Sequence, residues 1–257
     1  MLDGRVAIVT GASAGIGEAI ARDLGAGGAR IVLNARREDR LRALADQIGA
    51  DRTAVVAGDA ADPEVIAAML DAAPAHFGAE ADLVVANAGR GLRGGLLESD
   101  PADWEEIFRI NALGAARLLR AAVERMGRLD DTHGRPGEAP QRARDIVVLG
   151  STVGRNLSPF SAFYGSAKAA AHMLAESARR AAGPRGVRVT LIEPGVVASE
   201  FQQVAGYDPQ SFGEFMERIG PVLTPEDIAR TVRFIVSQAP NVHLSEVMIR
   251  PTRQEYP

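Results

Sequence analysis

The chain has 257 residues, of which 46% are hydrophobic and 24% are charged, as is usual for a globular protein that buries a full core. Its net charge of −4 disfavours a nucleic-acid-binding platform, and the absence of Cys excludes disulfides, thiolate metal sites and cysteine nucleophiles. The four His residues lack metal-ligand spacing, no apolar run approaches the ~20 residues of a membrane span, and no signal peptide is visible. We therefore expect a cytoplasmic protein without a metal site, a nucleic-acid partner or a membrane segment.

Short β-branched segments alternate along the chain with segments of helical periodicity. The predicted strands are 6–9, 30–34, 53–57, 83–86, 145–149, 187–192 and 246–249. The predicted helices are 17–24, 38–49, 63–77, 101–109, 111–127, 162–182 and 225–238. This alternation favours one α/β domain over residues 1–257, with a doubly wound Rossmann fold in which helices cover both faces of a parallel seven-stranded sheet.

Two stretches interrupt the alternation. Residues 128–144 are polar, contain Pro and Gly, and join a helix to a strand, which predicts a surface loop at the amino edge of the sheet. Ligands bind at the opposite, carboxyl edge, so we expect no catalytic role for this loop. Residues 196–222 contain three Gly and several aromatic residues, which favours a mobile lid over the site. The alternative is that these aromatic residues pack helices against the body of the domain.

A glycine-rich turn lies between the first predicted strand and the first helix. Gly11 allows a tight turn, Gly15 lets the backbone approach a pyrophosphate, and Gly17 permits close packing of the helix on the sheet. The N-terminus of that helix offers free N–H groups and a positive dipole end to phosphates. The spacing is G-x-x-x-G-x-G rather than G-x-G-x-x-G, and a turn that binds nothing is the alternative.

The segment T-G-x-x-x-G-I-G at residues 10–17 resembles the turn of the short-chain dehydrogenase/reductase (SDR) superfamily, and further matches extend over nearly the whole chain. These matches are Asp59, Asn87-Ala88-Gly89, Asn111, Ser151, the Y-x-x-x-K pair Tyr164 and Lys168, and Pro194-Gly195. The resemblance implies an oxidoreductase that transfers hydride between NADP(H) and a small carbonyl or secondary alcohol. The implied catalytic residues are Asn111, Ser151, Tyr164 and Lys168. The implied cofactor contacts are Gly11, Ser13, Gly15, Ile16, Gly17, Arg36, Asp59, Ala60, Asn87, Tyr164, Lys168, Pro194, Gly195 and Val197.

Lys168 is the only lysine among 29 basic residues, and it follows Tyr164 by four positions in a predicted helix, so the two share a face. Reduction of a carbonyl needs a proton donor at the oxygen, and a nearby ammonium lowers the pKa of a phenol. Arg is bulkier and forked and does not simply replace that ammonium. The alternative is an ordinary surface pair on a helix.

The resemblance also gives roles to two further residues. Ser151 ends the fifth predicted strand, where its hydroxyl would hold the substrate oxygen near Tyr164; otherwise it would merely cap a turn. Asn111 lies inside a helical segment, where the family holds a water of a proton relay to the lysine; otherwise it is an ordinary polar residue. Ser199, at the position of a frequent family Thr, still offers a hydroxyl to the carboxamide of the cofactor.

The end of the second predicted strand bears on the choice of cofactor. An acidic residue there binds the ribose of NAD, whereas an Arg nearby accommodates the 2′-phosphate of NADP. Ala35 stands where NAD-preferring members of the family carry Asp, and Arg36 follows it. Glu38 and Asp39 come later, at a helix start that suits acidic residues. We therefore predict a preference for NADP(H).

The substrate pocket is expected in the loops after the fourth, fifth and sixth strands. Its expected residues are Arg90, Leu92, Arg93, Leu96, Val153, Arg155, Asn156, Phe160 to Phe163 and 196–222. Residues 246–254 resemble the branch of the family that acts on small 3-hydroxy acids and serine, and Arg90, Arg93 or Arg155 would then hold a carboxylate. Solvated surface arginines are the alternative.

Two other function classes compete with a reductase. A non-catalytic NADP-binding regulator would keep the glycine turn without needing Ser151, Tyr164 and Lys168 together. A related epimerase or dehydratase usually carries an added substrate domain, for which too little chain follows residue 195. The family also implies a homo-oligomer, a tetramer or dimer, in which helices near 111–127 and 162–182 pair through Ala115, Ala116, Ala169, Ala170 and Ala171.

Overall fold

Seven parallel strands form one sheet in the computed structural model, which describes residues 2–127, 143–156 and 158–256. The strands are β1 (Val6–Thr10), β2 (Arg30–Ala35), β3 (Thr53–Ala57), β4 (Leu83–Ala86), β5 (Asp145–Leu149), β6 (Arg188–Pro194) and β7 (Glu246–Ile249). Their order is β3-β2-β1-β4-β5-β6-β7, and every pair is parallel. The direction of winding therefore reverses between β1 and β4, which opens a crevice at their carboxyl ends. The predicted doubly wound sheet is confirmed.

Helices cover both faces of the sheet. They are α1 (Gly15–Ala26), α2 (Glu38–Ile48), α3 (Pro63–Phe77), α4 (Trp104–Phe108), α5 (Ala115–Met126), α6 (Ala162–Ala182), α7 (Phe201–Val204), α8 (Pro209–Ile219) and α9 (Pro225–Val236). Side chains alternate along β1, so Ala7 and Val9 join a core with α1, α2 and α9, while Val6 and Ile8 join a second core with α3, α5 and α6. No helix in the described part of the chain is long and apolar enough to cross a membrane.

Some predicted boundaries were wrong. The helices expected at 101–109 and 111–127 are one continuous helical segment from Trp104 to Met126, joined by a π-helical turn at Arg109–Gly114. Within this turn the Asn111 side chain donates to the Ile107 carbonyl at 3.0 Å, where a regular helix would place a backbone N–H. The sixth strand was expected to end at residue 192, but β6 continues to Pro194 because it pairs with β7 to that point.

The two interrupting stretches have different outcomes. The loop predicted at 128–144 lies outside the described residues except for 143 and 144, and Arg144 is buried with its guanidinium donating to the Met126 carbonyl at 2.8 Å. The stretch 196–222 contains the short helix α7 and the longer helix α8, and both lie over the carboxyl edge of the sheet. This stretch, hereafter the lid segment, therefore stands where a site is expected.

Candidate active site

A cleft of about 1790 Å³ lies at the carboxyl edge of the sheet, in the crevice that the winding reversal creates. Most of the residues predicted to contact cofactor or substrate line it. These are Gly11, Ser13, Gly15, Ile16, Arg36, Asp59, Ala60, Asn87, Ser151, Tyr164, Pro194, Gly195, Val197 and Ser199. Gly17, Asn111 and Lys168 are instead buried behind this wall.

The glycine turn has the geometry of a pyrophosphate cradle. Gly11 and Gly15 adopt φ of 67° and 56°, which side chains with a Cβ rarely tolerate. A Cβ at Gly17 would overlap the Gly11 carbonyl, so α1 packs against the strand end only because Gly17 lacks one. Ala14 precedes α1 and provides no side-chain cap, which leaves the first N–H groups of the helix available at the cleft. These residues fit a phosphate-bearing cofactor.

The wall beyond the turn carries two adjacent arginines. Arg36 is exposed on this wall, next to the buried Ala35. Arg37 donates to the Ser13 hydroxyl at 3.2 Å and pairs at 3.2 Å with Glu200 of the lid segment, which also pairs with Arg40 at 2.8 Å. Sequence reasoning singled out Arg36 and missed Arg37, although the two are consecutive at a helix start.

Asp59 is fixed in place at the same end of the cleft. Its carboxylate accepts from the Ala61 N–H at 2.9 Å and from Arg109 at 2.6 Å. Burial opposes ionisation of this carboxyl, but these hydrogen bonds and the positive charge of Arg109 outweigh it and lower the pKa of Asp59. Asp59 is therefore an ionised acceptor at neutral pH, facing the cleft.

Tyr164 lies in the cleft but is shielded from bulk water, with 8% of its surface exposed. Its ring centroid is 5.3 Å from that of Phe201 in the lid segment, and its hydroxyl is hydrogen-bonded with Ser151. Burial raises the pKa of Tyr164 above its ordinary range, and the Ser151 hydrogen bond offsets this only in part. The structure thus holds Tyr164 as a protonated phenol, which is the form that donates a proton.

Lys168 lies directly beneath Tyr164 on the same face of α6. Its Nζ is 5.9 Å from the Tyr164 ring centroid and donates to the Leu149 carbonyl at 2.6 Å. Burial lowers the pKa of Lys168 to about 8, so the amine is mostly charged at neutral pH yet close to releasing its proton. The spacing of the two residues in the sequence predicted this shared face.

Asn111 borders the same buried space as Lys168. Its amide donates to the Arg90 carbonyl at 2.8 Å, and its Oδ1 accepts from the Arg90 N–H at 3.3 Å. A Cβ at Gly89 would lie 2.7 Å from Asn111 Oδ1 and 3.7 Å from Lys168 Nζ. Both polar atoms therefore flank the position that Gly89 leaves without a side chain.

Sequence reasoning missed His172, the buried residue behind Ser151. The Ser151 N–H donates to His172 Nε2 at 3.2 Å, so Nδ1 carries the imidazole proton and faces Glu193 at 3.8 Å. Burial lowers the pKa of His172, which keeps the ring neutral at neutral pH. The available signal was its position four residues after Lys168, on the face that carries Tyr164.

Of the three arginines expected to hold a carboxylate, two are engaged in ion pairs and Arg93 is exposed on the cleft wall. Arg90 forms an ion pair with Asp103 at 2.8 Å. Arg155 lies off the cleft wall and bonds Glu193 at 2.6 Å and Glu246 at 2.9 Å. Arg93 is exposed on the cleft wall. The hydrogen bonds from Ser211 lower the pKa of Asp208, and the positive charge of Arg93 makes a smaller contribution in the same direction.

The expected pocket list needs other corrections. Leu92 is buried in a small core with Ile107, and Phe163 stacks on Trp104 with ring centroids 3.9 Å apart, so neither side chain faces the cleft. Leu96 and Asn156 also lie off the wall. All four follow the expected strands, but apolar partners hold Leu92 and Phe163 outside the cleft, Asn156 donates to the Thr152 carbonyl at 3.0 Å, and Leu96 is exposed.

The end of the chain returns to the site, which the sequence did not reveal. Gln254 is buried, and its Oε1 accepts from the Val196 N–H at 2.9 Å. A Cβ at Gly195 would overlap that side chain. The Pro194-Gly195 turn is thus held by a residue nearly sixty positions further along the chain.

Comparisons with known proteins agree with this geometry. The short chain dehydrogenase family model matches residues 5–209. An uncharacterised oxidoreductase of Staphylococcus epidermidis is 34% identical over 247 residues, which span 96% of this chain and 97% of the relative. A 3-ketoacyl-(acyl-carrier-protein) reductase from Brucella melitensis, complexed with NADH, has a TM-score of 0.83 at 25% identity and covers 98% of this chain and 99% of its own. The closed form of serine dehydrogenase complexed with NADP+ has a TM-score of 0.82 at 30% identity, covering 98% and 96%.

Proposed function

The chain belongs to the short-chain dehydrogenase family of oxidoreductases, and from that premise we propose that it is an NADP(H)-dependent reductase of carbonyl compounds. The observation that carries the proposal is the placement of Tyr164. Its phenol lies in the cleft beside Ser151, and the charged Lys168 is buried beneath its ring. A regulator that only bound a nucleotide would have no use for a buried phenol and amine at this point.

Each of the proposed catalytic residues has a separate role in the proton transfer. A bound nicotinamide supplies the hydride that reaches the carbonyl carbon. Ser151 donates a hydrogen bond to the carbonyl oxygen and holds it beside Tyr164, which transfers its phenolic proton to that oxygen. The charge of Lys168 stabilises the phenolate that remains, and Asn111 borders the route by which a proton returns. Burial favours the protonated phenol, which is the form that reduction of a carbonyl requires, and the phenolate serves as the base when the reverse reaction oxidises an alcohol.

The preference for NADP(H) rests on the wall beside the glycine turn. Ala35 provides no acidic partner for a ribose hydroxyl, and Arg36 is exposed at the cleft next to it. Arg37 adds a second guanidinium, held against Ser13. Two adjacent arginines suit a phosphate monoester better than a neutral ribose.

The substitution Tyr164→Phe tests the proposal, because it removes the proton donor and keeps the ring that packs on Phe201. We expect NADPH to bind with unchanged affinity while kcat falls about a hundredfold or more. Cofactor binding is measured by fluorescence titration and turnover by NADPH absorbance, with a panel of ketones and aldehydes. Activity comparable with that of the wild type would refute the role of Tyr164.

One observation favours a second candidate, a dehydrogenase of serine or a 3-hydroxy acid. The likeness to a solved serine dehydrogenase covers nearly the whole chain at 30% identity. The pairing of Arg90 with Asp103 and of Arg155 with Glu193 and Glu246 weighs against it, since these guanidinium groups are not available to a substrate carboxylate.

A homo-oligomer is also proposed, through the outer face of α5 and α6. Leu113 and Met173 are 52% and 71% exposed on this face, although both are large and apolar. Ala116 and Ala169 beside them are half-buried and small enough for close helix packing. A second copy would cover these apolar side chains.

A further inference from the structure

The aromatic side chains of this protein are concentrated at the cleft. The chain contains only eight Phe, three Tyr and one Trp. Seven of these twelve line the cleft: Phe160, Tyr164, Phe201, Tyr207, Phe212, Phe215 and Tyr256. Four of the seven belong to the lid segment, although this segment is only a small part of the chain. This distribution associates aromatic surface with the site rather than with the cores on either face of the sheet.

The aromatic rings of the lid segment form two groups at the cleft. Phe201 lies 5.3 Å from Tyr164, while Phe212 lies 5.5 Å from Tyr207 and 6.0 Å from Phe215, measured between ring centroids. The Tyr207 hydroxyl bonds Ser161, which is buried just before α6, the helix that carries Tyr164. The second group is therefore tied to the start of the helix that holds the catalytic phenol, and both groups line the same cleft.

The second group is not simply the packing face of a helix. The apolar side of α9 is fully buried, including Ile228 and Val232. In α8, by contrast, Phe212 and Phe215 stay half-exposed toward the cleft, and Ile219 is the one buried residue among its described positions. Half-exposed aromatic surface inside a concave site is what an apolar ligand group would cover.

The charges on the substrate side of the cleft balance. The charged residues that line this side are Arg90, Arg93, Arg218 and Arg253, and Glu98, Asp208 and Glu255, and the charge of Arg90 is neutralised by its ion pair with Asp103. Arg218 is exposed and lies over the Phe215 ring at 5.4 Å, and Arg253 is exposed as well. Within the described residues, no buried and unpaired cation faces the space next to Tyr164 that a substrate carboxylate would occupy.

We propose that the substrate is a neutral ketone or aldehyde whose carbonyl carries an aryl group, seated against Phe212 and Phe215. The inference rests on the proposed function, because the carbonyl is the group that Tyr164 protonates. The carbonyl carbon receives hydride from the reduced nicotinamide, the oxygen receives the phenolic proton, and the products are an alcohol and the oxidised cofactor. A carboxylate beside the carbonyl is disfavoured because no buried cation lines the described part of the cleft to replace the hydration that it would lose there.

The test compares three ketones of defined chemistry with the intact protein and NADPH. These are acetophenone, butan-2-one and phenylglyoxylate, which differ in the aryl group and in the presence of a carboxylate beside the carbonyl. We expect kcat/KM for acetophenone to exceed that for each of the others by about tenfold or more. In the double variant Phe212→Ala/Phe215→Ala, the advantage of acetophenone over butan-2-one should fall by about tenfold.

Phe234→Ala is the matched control, since Phe234 is 59% exposed on α9 and lies off the cleft wall. It should leave all three rates unchanged, and circular dichroism checks that each variant is folded. Butan-2-one or phenylglyoxylate turned over as well as acetophenone would overturn the inference and leave the proposed reductase intact. An unchanged acetophenone preference in the folded double variant would also overturn it. No turnover of any ketone, nor of the matching alcohols with NADP+, would instead defeat the proposed function itself.

Discussion

The contact of Gly154 with His172 gives a testable prediction about stability. The sign of the change in unfolding free energy caused by Gly154→Ala should depend on whether residue 172 is His or Ala. A Cβ at Gly154 would lie 2.5 Å, 2.6 Å and 3.0 Å from three atoms of the His172 ring, which are its nearest neighbours. The ring cannot retreat freely, since its other side lies against Gly150. Gly154→Ala must therefore displace the imidazole or the turn that follows Ser151.

The magnitude follows from three terms. Overpacking a filled site costs about 1–3 kcal/mol of unfolding free energy. If the ring moves, the Ser151 N–H loses the acceptor it bonds at 3.2 Å, at a cost of about 1–3 kcal/mol. Replacing Gly by Ala returns about 0.4–1 kcal/mol through the entropy of the unfolded chain. We expect Gly154→Ala to destabilise the wild type by about 2 kcal/mol.

In a His172→Ala background the same substitution should be neutral or stabilising, since the methyl group enters the space of the lost ring. Urea unfolding of the four proteins, followed by circular dichroism, measures the coupling, which we expect to be about 2 kcal/mol. Gly213→Ala is the control: its Cβ would meet no atom within 4 Å, and Gly213 lies inside the helix α8. Additivity of the two substitutions within about 0.5 kcal/mol would refute the reasoning.

Three further substitutions test other parts of the structure. Arg36→Ala should raise KM for NADPH about tenfold or more and leave KM for NADH unchanged, and an equal rise for both cofactors would contradict the phosphate role. Met173→Glu should lower the mass measured by light scattering, because it charges an apolar side chain that is 71% exposed; an unchanged assembly would exclude this face. Lys168→Met should flatten the rise of stability with pH between about 8 and 10. Burial holds the folded pKa of Lys168 at about 8, below its unfolded value, so the unfolded chain binds more protons in this window and stability increases as pH rises. No Cys and no other Lys titrates there, so an identical slope in the variant would contradict the burial of the amine.

The sequence predicted the parts of the structure that depend on local pattern. The alternation of strands and helices gave the sheet, and the four-residue spacing of Tyr164 and Lys168 gave a shared helix face, because both follow from backbone periodicity. The glycine turn was predictable for a similar reason, since the absence of a Cβ is visible in the sequence and Gly17 tolerates none.

Contacts between distant segments could not be predicted in this way. Gln254 supports the turn at Gly195, and His172 supports Ser151, through side chains whose partners are set by the tertiary fold. The arginines show the same limit. Arg155 follows the correct strand for a substrate contact, yet the buried Glu193 draws its guanidinium away from the cleft. Residue type and strand order locate a site, but pairing of buried charges decides which side chains face it.

The lone lysine illustrates how the two kinds of information combine. The sequence shows that Arg serves at every other basic position, and the structure shows why position 168 differs. The buried Nζ of Lys168 donates to the Leu149 carbonyl, in a space also bordered by Asn111. A guanidinium would bring several N–H donors into this space, and each donor left without an acceptor costs about 1–3 kcal/mol. Moreover, burial brings the amine pKa to about 8, where it exchanges a proton near neutral pH, whereas a guanidinium stays charged. In the proposed mechanism, in which Tyr164 is reprotonated in each cycle, both the small size and the titration of lysine therefore favour it over arginine at position 168.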